Sequence, residues 1–419
     1  MTTSSAEHRG TAPQEDPDDD RWPGLATPPK SALRARIAAA LFRRAVRRLD
    51  VRIVFPDGVV LGAGGPDAPE MRILRPAAFF HRLGVDAKIG FGESYMAGDW
   101  TASDLADVLT PFAERMGTLV PPLLQRFRTL AERTQPPSEE NTLEGARANI
   151  HRHYDLSNDL FGTFLDPSMM YSSALFGPGD DLTAAQHRKI DSVLDYAGVT
   201  HGSAVLEIGT GWGELAIRAA ERGAYVTSLT ISEEQRALAT ERIAAAGVAD
   251  RVEVKLCDYR ESSGQYDAVV SVEMIEAVGA SYWPAFFSTI GERLRPGGRF
   301  GLQAITMDHD RMLAASRAYT WMHKYIFPGG IIPSVQSIED GLRTHTRLKL
   351  AGMREFGQDY ARTLRLWRER FLHRWSDVAT LGFDDVFGRM WEFYLAYSEA
   401  GFRSGYIKVH QFGYEATGG

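Results

Sequence analysis

Three glycines at alternate positions, Gly209, Gly211 and Gly213, occupy the segment VLEIGTGWGE (205–214), and a carboxylate, Glu207, stands two residues ahead of the first. A β-prone run leads in and a helix-prone run leads out, so the glycines form a tight turn where a ligand can meet bare backbone. A dinucleotide fingerprint, G-x-G-x-x-G, would need its third glycine at position 214, where Glu214 stands. The observed E-x-G-x-G-x-G suits a ligand with a cationic amino group better than a pyrophosphate. S-adenosylmethionine (SAM) carries that amino group and a sulfonium. Further along, Thr230-Ile231-Ser232 ends the next strand and Gln235 follows one turn later, placing polar groups where ribose hydroxyls would lie. Ser232 reads equally as an N-cap and Thr230 as a strand end. After the third strand, Asp258 is placed to accept from an adenine amine and Tyr259 to cover the ring, with Cys257 an inert strand residue. The segment YDAVVSVEMIEAVG (266–279) delivers Glu273 and Glu276, three apart on a starting helix and so on one face, near the expected methyl group. Glu273 taken alone also reads as a favourable charge in a first helical turn.

These residues need a scaffold that gathers strand ends. SAVLEI (203–208), AYVTSL (224–229), RVEVKL (251–256), YDAVVS (266–271) and RFGLQA (299–304) are short β-prone runs, and helical stretches separate the first three. Parallel strands with crossover helices build a doubly wound α/β sheet whose ligands sit beyond the strand C-termini. The fold expected is the Rossmann-like class I SAM-dependent methyltransferase, with a smaller N-terminal α+β domain. Four segments are expected: a disordered acidic tail (1–29), an N-terminal domain for substrate or membrane association (30–118), a linker (119–142) and the methyltransferase domain (143–419). VRIVFPDGVVLG reads as a hairpin around Pro56-Asp57-Gly58. KSALRARIAAALFRRAVRRLD, with Arg34, Arg36, Arg43, Arg44, Arg47 and Arg48 beside Leu33, Ile37 and Leu41, reads either as a helix resting on anionic lipid or as a surface helix packed on its own domain.

Composition narrows the partners. The 419 residues hold 47 Lys+Arg against 54 Asp+Glu, a net charge of −7, so bulk charge does not bind nucleic acid. A single cysteine excludes an internal disulfide framework and a Cys-rich metal site, and no metal is expected. No run approaches the ~18 apolar residues of a membrane span, and no signal-peptide core is visible, so the expected location is cytoplasmic, with any lipid met at the inner leaflet.

Several segments together resemble the family of cyclopropane-fatty-acyl-phospholipid synthases and mycolic acid methyltransferases: HYDLSNDLFGTFLDPSMMYSSALF (153–176), VLEIGTGWG (205–213), TISEEQ (230–235), SVEMIEAVG (271–279), KYIFPGG (324–330) and FYLAYSEAGFRSG (393–405). GFGESYMAGDW (90–100) extends the likeness into the N-terminal part. The resemblance implies methyl transfer from SAM to a cis double bond of an unsaturated phospholipid acyl chain. An alkene is a weak nucleophile, so the donor must be held in line within a dry pocket, and the resulting carbocation needs aromatic faces and a buried anion. The resemblance also implies a bound bicarbonate as the base, with Glu276, Tyr394 and the backbone of Ile305 as its holders. Two positions depart from the family pattern: its Cys is Ser173 here, and its His is Gln303. Neither can supply an imidazole's proton exchange. Tyr171 and Ser172 join the SAM-binding set by the same resemblance.

The altered anion pocket bears on the product. Loss of a methyl proton closes a cyclopropane, whereas hydride migration, with proton loss next to the new cation, leaves an exocyclic methylene. The likeness to the actinobacterial branch that makes 10-methylene lipids favours the methylene, a product for a partner reductase, and implies a homodimer. A cyclopropane product, methylation of a soluble small molecule, and a non-catalytic lipid-binding role remain the alternatives. For the acyl tunnel the candidates are Met312, Trp321, Met322, Tyr325, Ile326, Phe327, Ile331 and Ile332, and a second basic stretch (361–375) is a further candidate for headgroup contact.

Overall fold

The computed structural model describes residues 21–116, 142, 157–316 and 318–416. The expected acidic tail up to residue 20, the linker at 119–141 and the start of the second domain, including His153 to Leu156, lie outside them. The N-terminal part opens with helix α1 (Ala32–Val46), followed by β1 (Arg52–Val54) and β2 (Val60–Leu61), which pair antiparallel as the predicted hairpin. Gly58 takes a φ of +84° in its turn and Asp57 accepts from the Val59 N–H at 3.1 Å. β3 (Glu70–Ile73) lies parallel to β1, and β4 (Trp100–Ala102) closes the small sheet antiparallel to β3. Between and after them come α2 (Pro76–Val85), α3 (Ala87–Met96) and α4 (Leu105–Glu114), with Asp86 and Asp104 capping the last two.

The rest is the doubly wound sheet. After α5 (Asn158–Phe164) and α6 (Leu182–Tyr196), the strands β5 (Ala204–Ile208), β6 (Tyr225–Thr230), β7 (Val252–Leu256), β8 (Tyr266–Val272) and β9 (Leu294–Thr306) fall on the five predicted runs and pair in parallel. The helices between them are α7 (Glu214–Glu221), α8 (Glu233–Ala245), α9 (Ile275–Val278) and α10 (Trp283–Arg293). Beyond β9 lie α11 (His309–Ala315), α12 (Trp321–Tyr325) and α13 (Val335–His345), then β10 (Leu348–Glu355). The chain ends with α14 (Gly357–His373), α15 (Trp375–Thr380), α16 (Asp385–Arg403) and β11 (Lys408–Ala416). The strand order is β10-β11-β9-β8-β5-β6-β7, with β11 antiparallel to both neighbours. Strand order reverses between β5 and β8, and ligands of such sheets bind at that switch point.

The N-terminal part does not keep a core of its own. One apolar cluster runs from Ile53 and Phe79 through Trp100 to Trp367, Trp391 and Phe402. Gly92 shows how close the approach is: a Cβ there would lie 2.5 Å from the Trp321 ring. Arg368 of α14 is buried and joins Glu399 of α16 to Asp104 at the start of α4, both at 3.1 Å. This corrects part of the headgroup reading of the second basic stretch, because a cation so paired is unavailable to lipid. Within the tail expected to be disordered, residues 21–25 are tied to the rest of the chain. Leu25 is buried, Trp22 donates to Asp384 at 2.8 Å, and buried Arg82 donates to the carbonyls of Gly24 and Leu25. Composition averages over a segment, whereas here two apolar side chains meet ready-made partners. Of the two readings of α1, the structure shows the helix packed on its own domain along one face. Ala35, Phe42 and Val46 are buried, while Leu33 and Ile37 are 72% and 53% exposed beside the exposed Arg34, Arg36 and Arg44.

Candidate active site

The turn between β5 and α7 holds Gly209, Gly211 and Gly213 at φ of +102°, +53° and +91°, which side chains rarely adopt. Open space surrounds the Cβ direction of Gly211, and a Cβ on Gly213 would lie 3.2 Å from Ala239 of α8. Glu214 begins α7 and is held by His187 at 2.9 Å and Arg242 at 2.7 Å, so the position denied to a third dinucleotide glycine is built into an ion-pair cluster. Just ahead, Glu207 is buried, and the Ser228 hydroxyl that donates to it lies 2.7 Å from the Thr210 hydroxyl. Burial pushes the Glu207 carboxyl up to about 8, against the opposing hydrogen bond from Ser228 and the charge of Lys189. A cationic amino group is the partner that would ionise it. The glycine turn and this carboxylate fit SAM.

Around that turn, Thr230 donates to Gln235 Oε1 at 2.9 Å, and the Ser232 hydroxyl caps α8 by accepting from the Gln235 N–H at 3.1 Å. The capping role is therefore real, and it leaves Thr230 and Gln235 together beside the strand end. Asp258 takes the Arg260 guanidinium on both oxygens, each at 2.8 Å. Tyr259 is buried edge-on against Phe286, with centroids 5.5 Å apart, so the structure gives its ring a core-packing job. Tyr171 and Tyr394 share a hydrogen bond of 2.7 Å between their hydroxyls, and Phe161 and Trp367 flank Tyr171 at 5.0 and 5.3 Å. Ser172 accepts from the Lys189 ammonium at 2.6 Å.

The two carboxylates of the fourth-strand segment do not share a helix face as expected: Glu276 lies on α9, Glu273 ahead of it, and they differ in kind. Glu276 accepts from the Ile305 N–H with Oε1, while its buried Oε2 has no hydrogen-bond partner among the described residues. Desolvation, then the charge of Glu273, pushes the Glu276 carboxyl up to about 8. Glu273 has a backbone φ of +49°, rare for a residue with a Cβ and costing on the order of 1 kcal/mol. Its Oε1 accepts from the Ser173 N–H at 2.9 Å and Gln303 Nε2 at 2.7 Å, and its Oε2 from the Tyr360 hydroxyl at 2.7 Å. Desolvation raises its pKa, and the nearby Lys189 charge opposes that shift. The first-turn reading of Glu273 does not describe this residue, which lies before α9 and within hydrogen-bond reach of three donors.

The expected bicarbonate pocket is not what these residues build. The Gln303 amide spends its hydrogens on Glu273 and on the Ser173 carbonyl, and its oxygen accepts from Gln411 at 2.9 Å. The Ser173 hydroxyl donates to the Ala174 carbonyl at 3.0 Å, and Ile305 N–H is given to Glu276. A second anion would find these donors already used and two carboxylates in its way. No step is assigned to bicarbonate.

Sequence reasoning missed Lys189, Gln186, Tyr360 and Gln411. Lys189 and Gln186 are buried on α6, and the sequence did hold a signal: both fall in the helical stripe of Leu182, Ala185, Ile190 and Val193, where a polar side chain requires a partner. Desolvation brings the Lys189 ammonium down to about 8, with Glu273 the largest opposing charge. Tyr360 sits on the buried stripe of α14 with Leu364 and Trp367, and Gln411 on β11 donates to the Lys189 carbonyl at 2.9 Å. Among the tunnel candidates, Phe327 meets Tyr394 edge-on at 5.7 Å and the Ile331 N–H donates to the Glu276 backbone carbonyl at 2.8 Å, so this loop packs on the Tyr394 ring and on the backbone of α9. Trp321, Ile326 and Met312 are core residues. Glu273, Glu276, Ile305, Tyr171, Met322 and Phe327 are only partly buried.

The model of the family described as mycolic acid cyclopropane synthetase matches residues 141–412. The chain belongs to that family. Within it, the chain is 53% identical over 405 residues to the tuberculostearic acid methyltransferase UfaA1 of Mycobacterium tuberculosis, covering 94% of this chain and 95% of that one. It is 34% identical over 368 residues to the cyclopropane-fatty-acyl-phospholipid synthase of Escherichia coli, covering 84% and 89%. A solved family structure, the mycolic acid cyclopropane synthase CmaA1 complexed with SAH and CTAB, superposes with a TM-score of 0.59 at 30% identity over 64% of this chain and 98% of that one. The family's Rossmann-like methyltransferase fold is thus the one seen here, and it carries in this member an additional N-terminal sheet fused to its core.

Proposed function

We propose that this chain is a SAM-dependent C-methyltransferase acting on the cis double bond of an unsaturated phospholipid acyl chain, and that its product is the mid-chain methylene-branched lipid. The observation that carries the reading is the 53% likeness, along nearly the whole chain, to a protein named for tuberculostearic acid. SAM, when bound, supplies an electrophilic methyl on a sulfonium. Glu207 and the glycine turn bind and orient it at the ends of β5 and β8. Tyr171, Phe327 and Tyr394 offer aromatic faces to the cation that forms, a stabilisation that grows as water is excluded. The Glu276 backbone carbonyl holds the loop through the Ile331 N–H, while its carboxyl keeps one oxygen without a hydrogen-bond partner among the described residues, an acceptor that stabilises the cation electrostatically when ionised.

No helix among the described residues is long and apolar enough to cross a membrane. The exposed Leu33 and Ile37 of α1, set among arginines, suit contact with an anionic lipid surface where the acyl chain would be met. A reductase is the class of enzyme that would take up the methylene product, and a homodimer is the assembly the family likeness favours. Incubation with SAM and vesicles of dioleoyl phospholipid, followed by NMR of the extracted acyl chains, tests the reaction. Vinylidene proton signals are expected; cyclopropane protons would reassign the product, and unmethylated lipid would overturn the reading.

A further inference from the structure

We propose that the carboxylate of Glu273 takes the place that the family likeness gives to bicarbonate, and that it accepts the proton that ends the reaction. The inference rests on the function proposed above. Two of the five positions assigned to the anion by resemblance, Ser173 and Gln303, aim their donors at Glu273 Oε1, at 2.9 and 2.7 Å. Two more, Glu276 and Ile305, are bonded to each other. The Glu273 backbone stands at φ +49°, a conformation that glycine would hold at no cost, so a side chain at this position is retained against a steric penalty. Its two oxygens are unequally engaged: Oε1 has two donors, whereas Oε2 has the Tyr360 hydroxyl and a lone pair to spare. Buried Lys189 supplies the countercharge, and Gln411 holds Gln303 in the orientation that serves Glu273.

The step balances without an external base. Methyl transfer forms a C–C bond and leaves a cation on the neighbouring carbon. A hydride then migrates from the methylated carbon to that neighbour, placing the cation on the methylated carbon. A C–H bond of the transferred methyl breaks, its electron pair becomes the exocyclic C=C bond, and the proton passes to Glu273 Oε2. Glu273 is then a neutral acid, which returns its proton to solvent when the products leave.

The test is anion dependence, measured on the full chain with SAM and dioleoyl phospholipid vesicles in carbonate-free buffer. Wild-type turnover is expected to continue there and to change less than about twofold when millimolar bicarbonate is added. Glu273→Gly opens the carboxylate's place, and is expected to lose at least ~10²-fold in turnover and to regain at least about tenfold with added bicarbonate or formate. Glu273→Gln keeps the shape and is expected to stay slow with either anion. Wild-type enzyme that stops without bicarbonate and restarts with it overturns the proposal, as does a Glu273→Gly variant that turns over at the wild-type rate with no anion present. The wild-type arm decides even where a variant fails to fold. Absence of methylated lipid under every condition would instead sink the underlying reaction.

Discussion

Lowering the pH should weaken SAM binding through Glu207 alone, by an amount that follows from its surroundings. The Glu207 carboxyl is raised from an ordinary 4.5 to about 8 because it is buried under the glycine turn with only Ser228 and the nearby Lys189 favouring its charged form. To meet a ligand ammonium it must ionise, so below pH 8 each binding event releases up to one proton. The Kd for SAM should then rise up to ~10-fold per pH unit, or ~50-fold between pH 8, where the carboxyl is half ionised, and pH 6, equivalent to about 2.3 kcal/mol. The window stops at 8 because an α-amino group begins to lose its own proton near there. Isothermal titration calorimetry in two buffers of different ionisation enthalpy measures both the affinity and the proton released. The same group acts on stability with a definite sign. Its folded pKa lies above its unfolded one, so the ligand-free fold is most favoured below about 4.5 and loses that contribution as pH rises to about 8. A Kd that changes less than about threefold between pH 6 and 8, or a Glu207→Gln variant with the wild-type slope, would refute the reasoning.

Glu276→Gln should leave SAM affinity nearly unchanged and cut turnover at least ~10²-fold, since it replaces the oxygen left without a partner; steady-state kinetics and calorimetry on one preparation check this. Arg368→Met should lower stability by about 3 kcal/mol, seen as a drop in Tm, because Asp104 and Glu399 lose the cation between them. Replacing Arg36 and Arg44 of α1 with Glu should reduce sedimentation with anionic vesicles at least about tenfold without altering SAM binding, and equal sedimentation would remove α1 as a lipid contact.

How far the chain could be read in advance depended on the range of the interactions involved. The hairpin at Pro56-Asp57-Gly58, the five parallel strands and the cap at Ser232 rest on neighbours a few residues apart, so pattern alone located them. The antiparallel return of β11 between β9 and β10 was not foreseen, since KVHQFGYEA carries no local signal of where it must pair. The contacts of residues 21–25 are invisible in local sequence for a related reason: their partners, Arg82 and Asp384, lie far away in the chain.

Local sequence was enough to establish the cofactor turn, the strand that leads into Glu273 and Glu276, and the family to which the chain belongs. Which atom each group faces was decided by the fold. Glu273 meets Ser173, Gln303 and Tyr360 from positions 100, 30 and 87 residues away, and Lys189 reaches Ser172 across the turn before α6. A residue's type limits what it can donate or accept, but the protonation and partners that make it an anchor or a base come from burial and from distant neighbours, and those exist only once the chain has packed.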